Sequence, residues 1–351
     1  MKKIYFIALS ALVLLAVGCN KNDEITLPTQ KSAIKVSIQN ETPSSRAVGS
    51  PTTDVEKTVK SFTIYVFNNS TGVLEKSQIF TNGLQGEISG LSMASQKKVV
   101  VLVNQPANFP SIQEYEDLLD ASTRIELDSQ VPGNFDDKGL FMSGEHETPV
   151  SLNKETVSVT IKVKRIVAKV RLGSLTVTPD AGLSLDDFTL TGVSIQKARD
   201  KAPVFGGVPT VGFNYVGGID KNGAVSKPFL HEYYSLPDEY APGTNLNPQV
   251  YFYVFPNDNT DNEATLMTIY GQYNGGKVYF PFYINDKASG SGENASDGTW
   301  IQSNKIYTLN VTLKKLGSGG EDPNVPNEQV SMDVEVDIVD WEGELIQDIE
   351  W

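Results

Sequence analysis

The apolar and polar residues of this chain alternate in most segments, a two-residue period that predicts β-strands rather than helices. Residues 33–39 and 156–164 show it most clearly, with every second side chain apolar and suited to one buried face. Similar patterns predict strands at 62–67, 98–103, 250–255, 265–273, 277–284, 306–313 and 331–339. Many short strands separated by turn residues are typical of β-sandwiches.

One segment has helical spacing instead: residues 111–120 repeat apolar side chains every three or four positions. Residues 273–277 contain Asn274 and Gly275 between two aromatic-rich strands, which predicts a tight hairpin turn. Three further stretches are irregular in composition: a polar tether at 20–29, a Gly/Ser/Asn loop at 287–298 and a Gly/Pro/acidic linker at 317–329. The linker separates one last strand segment from the rest of the chain.

The N-terminus has the features of a signal peptide. Two lysines precede an apolar run over residues 4–17, which is shorter than the roughly 20 residues of a membrane-spanning helix. The run ends in Ala16-Val17-Gly18-Cys19, which resembles a lipobox except that the leucine stands one position early, at Leu15. Cys19 is the only cysteine of the chain. We therefore expect an exported lipoprotein precursor whose signal, residues 1–18, is removed and whose Cys19 is acylated.

Composition narrows the possible partners. With its one cysteine acylated, the chain has no thiol left for a disulfide, so a core must provide its stability; its 351 residues are enough for about two domains. The formal net charge of −14 argues against binding to nucleic acid or to anionic lipid head groups, because both would repel it. Solubility is the simplest role of such a charge.

The sequence offers no recognisable catalytic or metal site. It contains no nucleotide-binding motif or nucleophile elbow, and its two histidines, His146 and His231, lack ligand partners at metal spacing. Asp258, Asp261 and Glu263 form an acidic cluster without the pattern of a dedicated calcium loop, so a solvated turn is favoured over a calcium site. We expect no enzyme activity, no cofactor and no metal.

Several short phrases occur in an ordered series along the chain. They are SRAVG at 45–49, VKSFTIYVFN at 59–68, VVVLVN at 99–104, FMSG at 141–144, RIVAKV at 165–170, YFYVFPN at 251–257, LMTIYG at 266–271 and NKIYTLNV at 304–311. In this order, and with the lipobox, the series resembles the fimbrillin family, the FimA-type major pilins of the type V pili of anaerobic Gram-negative bacteria.

The resemblance implies an all-β fold with two tandem transthyretin-like β-sandwich domains and a C-terminal extension strand. The implied regions are the signal peptide 1–18, a lipidated leader 19–46 with the first strand, an N-terminal domain 47–172, a C-terminal domain 173–329 and a tail 330–351. It also implies a route of assembly. The lipid carries the precursor to the outer membrane, an arginine-specific, trypsin-like protease cuts between Arg46 and Ala47, and a tail strand from a neighbouring pilin fills the groove that the leader vacates.

The residues themselves suit a cut at Arg46. It is the only arginine before Arg124, and it lies among small, polar residues and two prolines, a composition that stays exposed and extended. Upstream of it, Ile34, Val36 and Ile38 alternate with polar residues in the leader. A strand between a lipid anchor and a cut site suits a temporary plug, because its removal would leave a sheet edge able to recruit another strand.

The tail suits the role of donor. Val334, Val336 and Ile338 alternate with acidic residues, and beyond Trp341 three further apolar residues share one parity: Leu345, Ile349 and Trp351. We expect residues 332–338 to belong partly to their own domain, which makes residues 345–351 the better donor candidate.

Two alternatives remain open at this point. The chain could be a monomeric, surface-anchored lipoprotein that binds a glycan or host ligand, with Tyr233 and Tyr234 as part of a sugar platform. It could also be an anchor pilin, which keeps its leader, or a tip pilin. The long patterned tail favours a stalk subunit that assembles with copies of itself and with other pilins on the cell surface.

Overall fold

A computed structural model describes most of the chain outside its two termini. The described residues are 30–40, 55–107, 109–124, 139–178, 180–208, 215–217, 234–235, 250–258, 264–285, 299–316, 332–340 and 346–347. Strands dominate them, which confirms the predicted all-β fold class. Within these residues, none of the helices has the length and apolar character needed to cross a membrane.

The first half of the chain contains nine strands and one α-helix among its described residues. They are β1 (Lys31–Asn40), β2 (Thr58–Val59), β3 (Phe62–Asn68), β4 (Leu74–Phe80), β5 (Gln85–Ser92), β6 (Lys97–Val103), α1 (Tyr115–Asp120), β7 (Ser122–Arg124), β8 (Met142–Glu145) and β9 (Thr156–Arg165), with a 3-10 turn at Val55–Lys57 before β2.

The second half continues with shorter and longer strands in two sheets and several two-stranded ladders. They are β10 (Ala168–Val177), β11 (Phe188–Gln196), β12 (Ala198–Arg199), β13 (Lys201–Pro203), β14 (Tyr215–Val216), β15 (Tyr234–Ser235), β16 (Tyr251–Val254), β17 (Asn257–Asp258), β18 (Leu266–Tyr273), β19 (Gly276–Tyr283), β20 (Thr299–Ile301), β21 (Lys305–Leu313), β22 (Met332–Asp340) and β23 (Ile346–Gln347), with a 3-10 turn at Leu185–Asp187.

A seven-stranded sheet in the order β4-β3-β6-β8-β9-β1-β5 builds the first half. Its two outer strands approach each other: Lys76 Nζ on β4 donates a hydrogen bond to the carbonyl oxygen of Ser89 on β5, at 2.7 Å. The sheet therefore folds over an interior filled by aliphatic and aromatic side chains from most of its strands. Ile64, Val101 and Ile161 are typical members, each 1% exposed or less.

The second half packs a sheet in the order β16-β10-β21-β22 with one in the order β15-β11-β18-β19. The core of this half is continuous with the opposite face of the first sheet, where Phe67 and Leu102 are fully buried. The strand β10 pairs with β16 and β21, so the domain boundary expected at residue 172 falls inside it. Residues 168–172 accordingly lie in a sheet of the second half, joined to β9 by the buried pair Ile166 and Val167.

The hairpin between β18 and β19 has the turn that its sequence predicts. Tyr273 pairs with Gly276 across the turn, and the two residues between them have positive φ, 50° at Asn274 and 77° at Gly275. Asn-Gly tolerates this left-handed backbone better than other residue pairs, and the turn's twist matches that of the strands. The local sequence therefore sets the register of this hairpin.

Tyr307 on β21 gives the second half a measurable dependence on alkaline pH. Its ring is 1% exposed, and burial raises the pKa of its hydroxyl from the ordinary 10.0 to about 12, although a hydrogen bond from the Gln302 backbone opposes the shift. The resulting stabilisation is complete below pH 10 and is lost as the pH rises toward 12, because the unfolded chain ionises first.

We therefore expect the wild type to lose about 2 to 3 kcal/mol of its free energy of unfolding as the pH rises through this range, at roughly 1.4 kcal/mol per pKa unit. Tyr307→Phe has no hydroxyl to ionise at this position and should not show this loss. Denaturant unfolding at pH 9 and at pH 11.5 measures this loss for both proteins. Lys277→Ala, a change at an exposed position that keeps every tyrosine, serves as a control with unchanged pH dependence. Equal losses of stability in the wild type and in Tyr307→Phe would contradict the assignment.

Candidate functional site: the first strand, its groove and the tail

The strand β1 lies inside the first sheet rather than at its edge. Residues Ala33 to Asn40 run parallel to β9, from Thr156 to Val163, and residues Lys31 to Ser37 run antiparallel to β5. The hydroxyl of Ser32 also donates to the carbonyl of Lys154 at 2.6 Å, at the start of the strand. The leader segment predicted to be a strand is therefore one, with partners on both sides.

The alternation in β1 places its apolar side chains in the core. Ile34 and Val36 are 0% exposed and Ile38 is 3% exposed, whereas Lys35 and Gln39 face solvent. The three aliphatic residues pack in the interior cluster of the first half. Their burial contributes on the order of 5 to 9 kcal/mol gross, at roughly 1.5 to 3 kcal/mol for each side chain.

The strand β5 depends on β1 for its place in the sheet. Of the strands described, only β1 forms a ladder with β5. Without β1, β9 would become an open sheet edge, and β5 would be held chiefly through its connection to β4. Two strand spacings, about 10 Å, would separate β5 from β9. The gap would be a groove with an apolar floor and two unpaired rims, which is the shape that an added strand fits.

The residues predicted to be lipidated and cleaved fall outside the described part of the chain. Arg46 and Ala47 belong to the segment between β1, which ends at Asn40, and the 3-10 turn that begins at Val55. Cys19 precedes β1. The order along the chain is therefore the predicted lipid site, the core strand β1, the predicted cut site and the folded body.

The proximal tail is part of its own domain. The strand β22 pairs antiparallel with β21 at nine positions, from Met332 opposite Leu313 to Asp340 opposite Lys305, and it forms the outer strand of its sheet. The tail residues Val334, Val336 and Ile338 all lie on this strand.

The distal tail returns toward the first half of the chain. Ile346 and Gln347 form β23, which runs parallel to β2 at Thr58 and Val59. The remaining predicted donor residues lie outside the described part of the chain: Trp341, Leu345, Ile349 and Trp351. The strand β23 thus lies beside β2, which follows the predicted cut site in the sequence.

Glu56, in the 3-10 turn before β2, is the centre of a buried polar cluster that sequence reasoning missed. Its carboxylate Oε1 lies 2.6 Å from Lys169 Nζ and accepts a hydrogen bond from the Tyr253 hydroxyl at 2.7 Å. Its backbone carbonyl accepts hydrogen bonds from Arg165 Nε and Nη2, at 3.1 and 2.9 Å. Lys169 and Tyr253 face each other across the β10–β16 ladder. The two basic residues in the apolar phrase RIVAKV were the available signal.

Burial determines the electrostatics of this Glu56 cluster. It lowers the pKa of Lys169, and the adjacent Glu56 carboxylate partly offsets the effect. It also lowers the pKa of Arg165 to about 10, so the guanidinium remains charged at neutral pH. Burial and the nearby Glu56 charge raise the pKa of Tyr253 well above its usual value, which keeps its hydroxyl a donor. The Lys169 ammonium also lies 4.4 Å from the centre of the Tyr251 ring, a cation–π contact.

The acidic cluster considered for calcium is only partly described. Asp258 Oδ1 lies 2.8 Å from Arg199 Nη2, and Arg199 Nε donates to Asn257 Oδ1 at 2.6 Å; Asp261 and Glu263 fall outside the described residues. Within the described ranges, no three His, Cys, Asp or Glu side chains come together as metal ligands would. Tyr234 lies on β15, and Tyr233, its proposed partner in a sugar platform, is not among the described residues.

The sequence of this chain is similar to those of known fimbrial proteins. Residues 32–176 match the model of a family described as the major fimbrial subunit protein (FimA), a range that runs from β1 to the end of β10. A curated relative, the major fimbrium subunit FimC of Porphyromonas gingivalis, is 26% identical over 326 residues, which is 87% of this chain and 64% of the relative. This chain therefore spans less than two thirds of that protein's length.

Two solved structures share the fold. A protein of Bacteroides eggerthii, described as a cell adhesion protein, superposes with a TM-score of 0.65 at 19% identity, over 90% of this chain and 97% of its own. A fimbrilin of Porphyromonas gingivalis superposes with a TM-score of 0.60 at 16% identity, over 88% of this chain and 97% of its own. At these identities the likeness establishes the fold.

Proposed function

We propose that this chain, whose residues 32–176 match the model of the major fimbrial subunit protein family, is a stalk subunit of a cell-surface fimbrium that polymerises by protease-triggered donor-strand exchange. The observation that carries the proposal is the position of β1, which is a core strand on both sides yet precedes the cut site at Arg46. Once the chain is cut after Arg46, β1 is no longer covalently joined to the rest of the subunit and can leave its groove.

In this proposal the precursor reaches the outer membrane through the lipid on Cys19. A trypsin-like protease then cuts between Arg46 and Ala47, where Arg46 is the only basic residue between Asn40 and Lys57. The leader departs with β1. It exposes the edge of β9 and the apolar floor that Ile34, Val36 and Ile38 covered, and the energy of re-covering that surface drives assembly.

The distal tail of a neighbouring copy supplies the replacement strand. Eleven residues follow Asp340, a length of about 36 Å when extended at roughly 3.3 Å per residue. The eight positions of β1 that pair with β9 need about 26 Å on the same measure. The strand β22 would remain in its own sheet, so the exchange would sacrifice no part of its ladder with β21.

A subunit that kept β1 would act differently, as a pilus anchor or as a monomeric surface lipoprotein, and the intact first sheet is a stable end state for either. The N-terminus of the protein recovered from cells distinguishes these roles. If most of the recovered chains begin at Ala47, the role of a stalk subunit is supported. If most of them begin at acylated Cys19, the role of an anchor or of a monomeric lipoprotein is supported.

Cleavage itself tests the assembly mechanism. Purified precursor treated with a limiting dose of trypsin is expected to lose residues 1–46 and to form oligomers visible by size-exclusion chromatography and electron microscopy. The Arg46→Ala precursor is expected to stay uncut in this segment and monomeric under the same conditions. Cleaved wild-type protein that keeps an intact tail and remains monomeric would refute donor-strand exchange.

A further inference from the structure

We propose that Glu75 and Lys76 on β4 are positioning residues that hold β5 in place when β1 leaves, so that the groove keeps both of its rims for the incoming strand. The inference rests on the proposed function, since it concerns the groove that β1 vacates. Its basis is a set of side-chain contacts between β4 and β5, two strands that have no backbone ladder with each other in the described part of the chain.

The strands β4 and β5 are consecutive along the chain and lie side by side without pairing. Phe80, at the end of β4, and Gln85, at the start of β5, are joined by residues 81–84. Among the described strands, β4 forms a ladder only with β3, and β5 only with β1. The seam between β4 and β5 therefore closes the sheet on itself, and side chains bridge it.

Two charged side chains of β4 bond to the backbone of β5. Lys76 Nζ donates to the Ser89 carbonyl oxygen at 2.7 Å, in the middle of β5. Glu75 Oε1 accepts a hydrogen bond from the Ser92 amide at 2.5 Å, at the end of β5. Each bond joins an ionised side chain to a backbone group, which makes it stronger than a bond between two neutral groups. Neither bond involves an atom of β1, so both can persist once β1 is gone.

The Glu75 carboxylate is itself held from the side of the core. Its Oε2 lies 2.6 Å from Lys97 Nζ, and the Lys97 side chain is 0% exposed. Lys97 begins β6, an inner strand of the sheet. Because a buried ammonium group is costly without a nearby negative charge, the ion pair keeps the carboxylate at the seam, where it meets the Ser92 amide.

An aromatic contact holds the other end of β5. A Cβ atom placed on Gly86 would lie 2.8 Å from the Phe80 ring, so the ring rests directly against the glycine backbone. The same ring stacks on Phe62 of β3, with the two centroids 5.1 Å apart. Contacts at both ends and in the middle of β5 therefore bridge the seam.

These contacts determine what remains of the groove when β1 is removed. The strand β5 would lose its ladder with β1, but the bonds from β4 would keep Ile88 and Leu91, both 0% exposed, turned toward the core. An incoming strand would then meet two rims already in place and could pair on both sides, as β1 does. A rim that had first to be ordered would take back part of the binding free energy.

The test measures how fast the leader leaves its groove after cutting. Cys19 is the only cysteine of the chain, so a precursor made without lipid can carry a fluorophore there. A limiting dose of an arginine-specific protease cuts after Arg46, with the cut located by intact-mass spectrometry. An excess of unlabelled peptide of residues 30–40 then fills each emptied groove. Fluorescence anisotropy in sub-denaturing urea, which brings release to a measurable rate, follows the departing leader.

Two double variants form a matched pair, and both replace Lys97 by methionine so that no buried charge is left unpaired. Glu75→Gln with Lys97→Met keeps an acceptor for the Ser92 amide, and its leader should leave within about threefold of the wild-type rate. Glu75→Ala with Lys97→Met has no acceptor, and its leader should leave about fivefold faster than in the glutamine variant, the effect of one lost hydrogen bond. Differences in affinity between related complexes appear mostly in the dissociation rate. Adding Lys76→Met should raise the difference to about tenfold or more.

A control variant separates positioning of β5 from general loss of stability. Tyr65→Phe on β3 removes the hydrogen bonding between the Tyr65 hydroxyl and Gln105, at 3.0 and 3.1 Å. This loss occurs in the same sheet but touches neither β5 nor β9, so leader release should stay within about twofold of the wild type. Equal release rates in the matched pair would overturn the proposal, as would a rate in Tyr65→Phe as high as that of the alanine variant.

The outcomes are distinct from those that test assembly. Only the leader and its groove enter the measurement, so failure here leaves donor-strand exchange standing. A subunit that releases its leader but does not polymerise would refute donor-strand exchange and would leave the comparison of the matched pair intact.

Discussion

Replacement of Val36 by aspartate is expected to lower the free energy of unfolding of the precursor by about 4 kcal/mol or more. Val36 is 0% exposed and lies between β5 and β9, opposite Gly86 on one side and Val159 on the other. A carboxylate there would be buried without a partner, and it would also forfeit the burial of the valine side chain. Denaturant unfolding followed by circular dichroism measures the loss.

The neighbouring residue on the same strand provides the control. Lys35 faces solvent, so Lys35→Asp makes a comparable change of side chain at an exposed position and should shift the free energy of unfolding by no more than about 0.5 to 1 kcal/mol. If Val36→Asp were as stable as Lys35→Asp, β1 would not belong to the core of the precursor in solution. The interpretation of β1 as a plug would then be wrong.

Deletion of residues 341–351 is expected to abolish polymer growth after cleavage while leaving the subunit folded. The strand β22 keeps its ladder with β21 in this variant, and the only described pairing that is lost is that of Ile346 and Gln347 with β2. The groove vacated by β1 would have no strand to fill it. Light scattering and electron microscopy after trypsin treatment measure polymer length, and thermal unfolding of the uncut precursor checks the fold.

A second variant separates the apolar side chains of the tail from its length. Leu345→Ser with Ile349→Ser preserves every residue position but removes two of the large apolar side chains that would enter the groove, at a cost of roughly 1.5 to 3 kcal/mol each in burial. It should shorten the polymers without preventing them. Unchanged polymers in the 341–351 deletion would place the donor segment elsewhere in the chain, and β22 would be the remaining candidate.

The sequence-based predictions are accurate where the structure depends on interactions between residues that are close in sequence. The predicted strands at 33–39 and 156–164 and the Asn274-Gly275 hairpin agree with the structure, because alternation and turn chemistry act between residues a few positions apart. The helix predicted at 111–120 is shorter, Tyr115–Asp120. Its start is set by Asp117, whose carboxylate accepts a hydrogen bond from the Glu114 amide at 2.9 Å, a feature that apolar spacing alone does not reveal.

The predicted boundary between the domains, at residue 172, stays a prediction, and it concerns a strand whose pairing is long-range. Residue 172 lies inside β10, where apolar residues alternate with Lys169, Arg171 and Ser174, and this pattern marks no boundary. The partners of β10 lie at positions 251–254 and 306–313. Pairing with strands that distant in sequence is settled by packing of the whole chain.

By itself, the sequence determined that the chain is a strand-rich protein, that an apolar strand lies between Cys19 and Arg46, and that an alternating segment follows the last linker. These are local properties of composition and period. Only the tertiary structure decided that β1 sits between β5 and β9, that β22 is held by β21, and that Glu56 is buried against Lys169 and Tyr253. Each of these depends on residues tens to hundreds of positions apart, whose meeting is a consequence of the packed core and of the need to pair every buried charge.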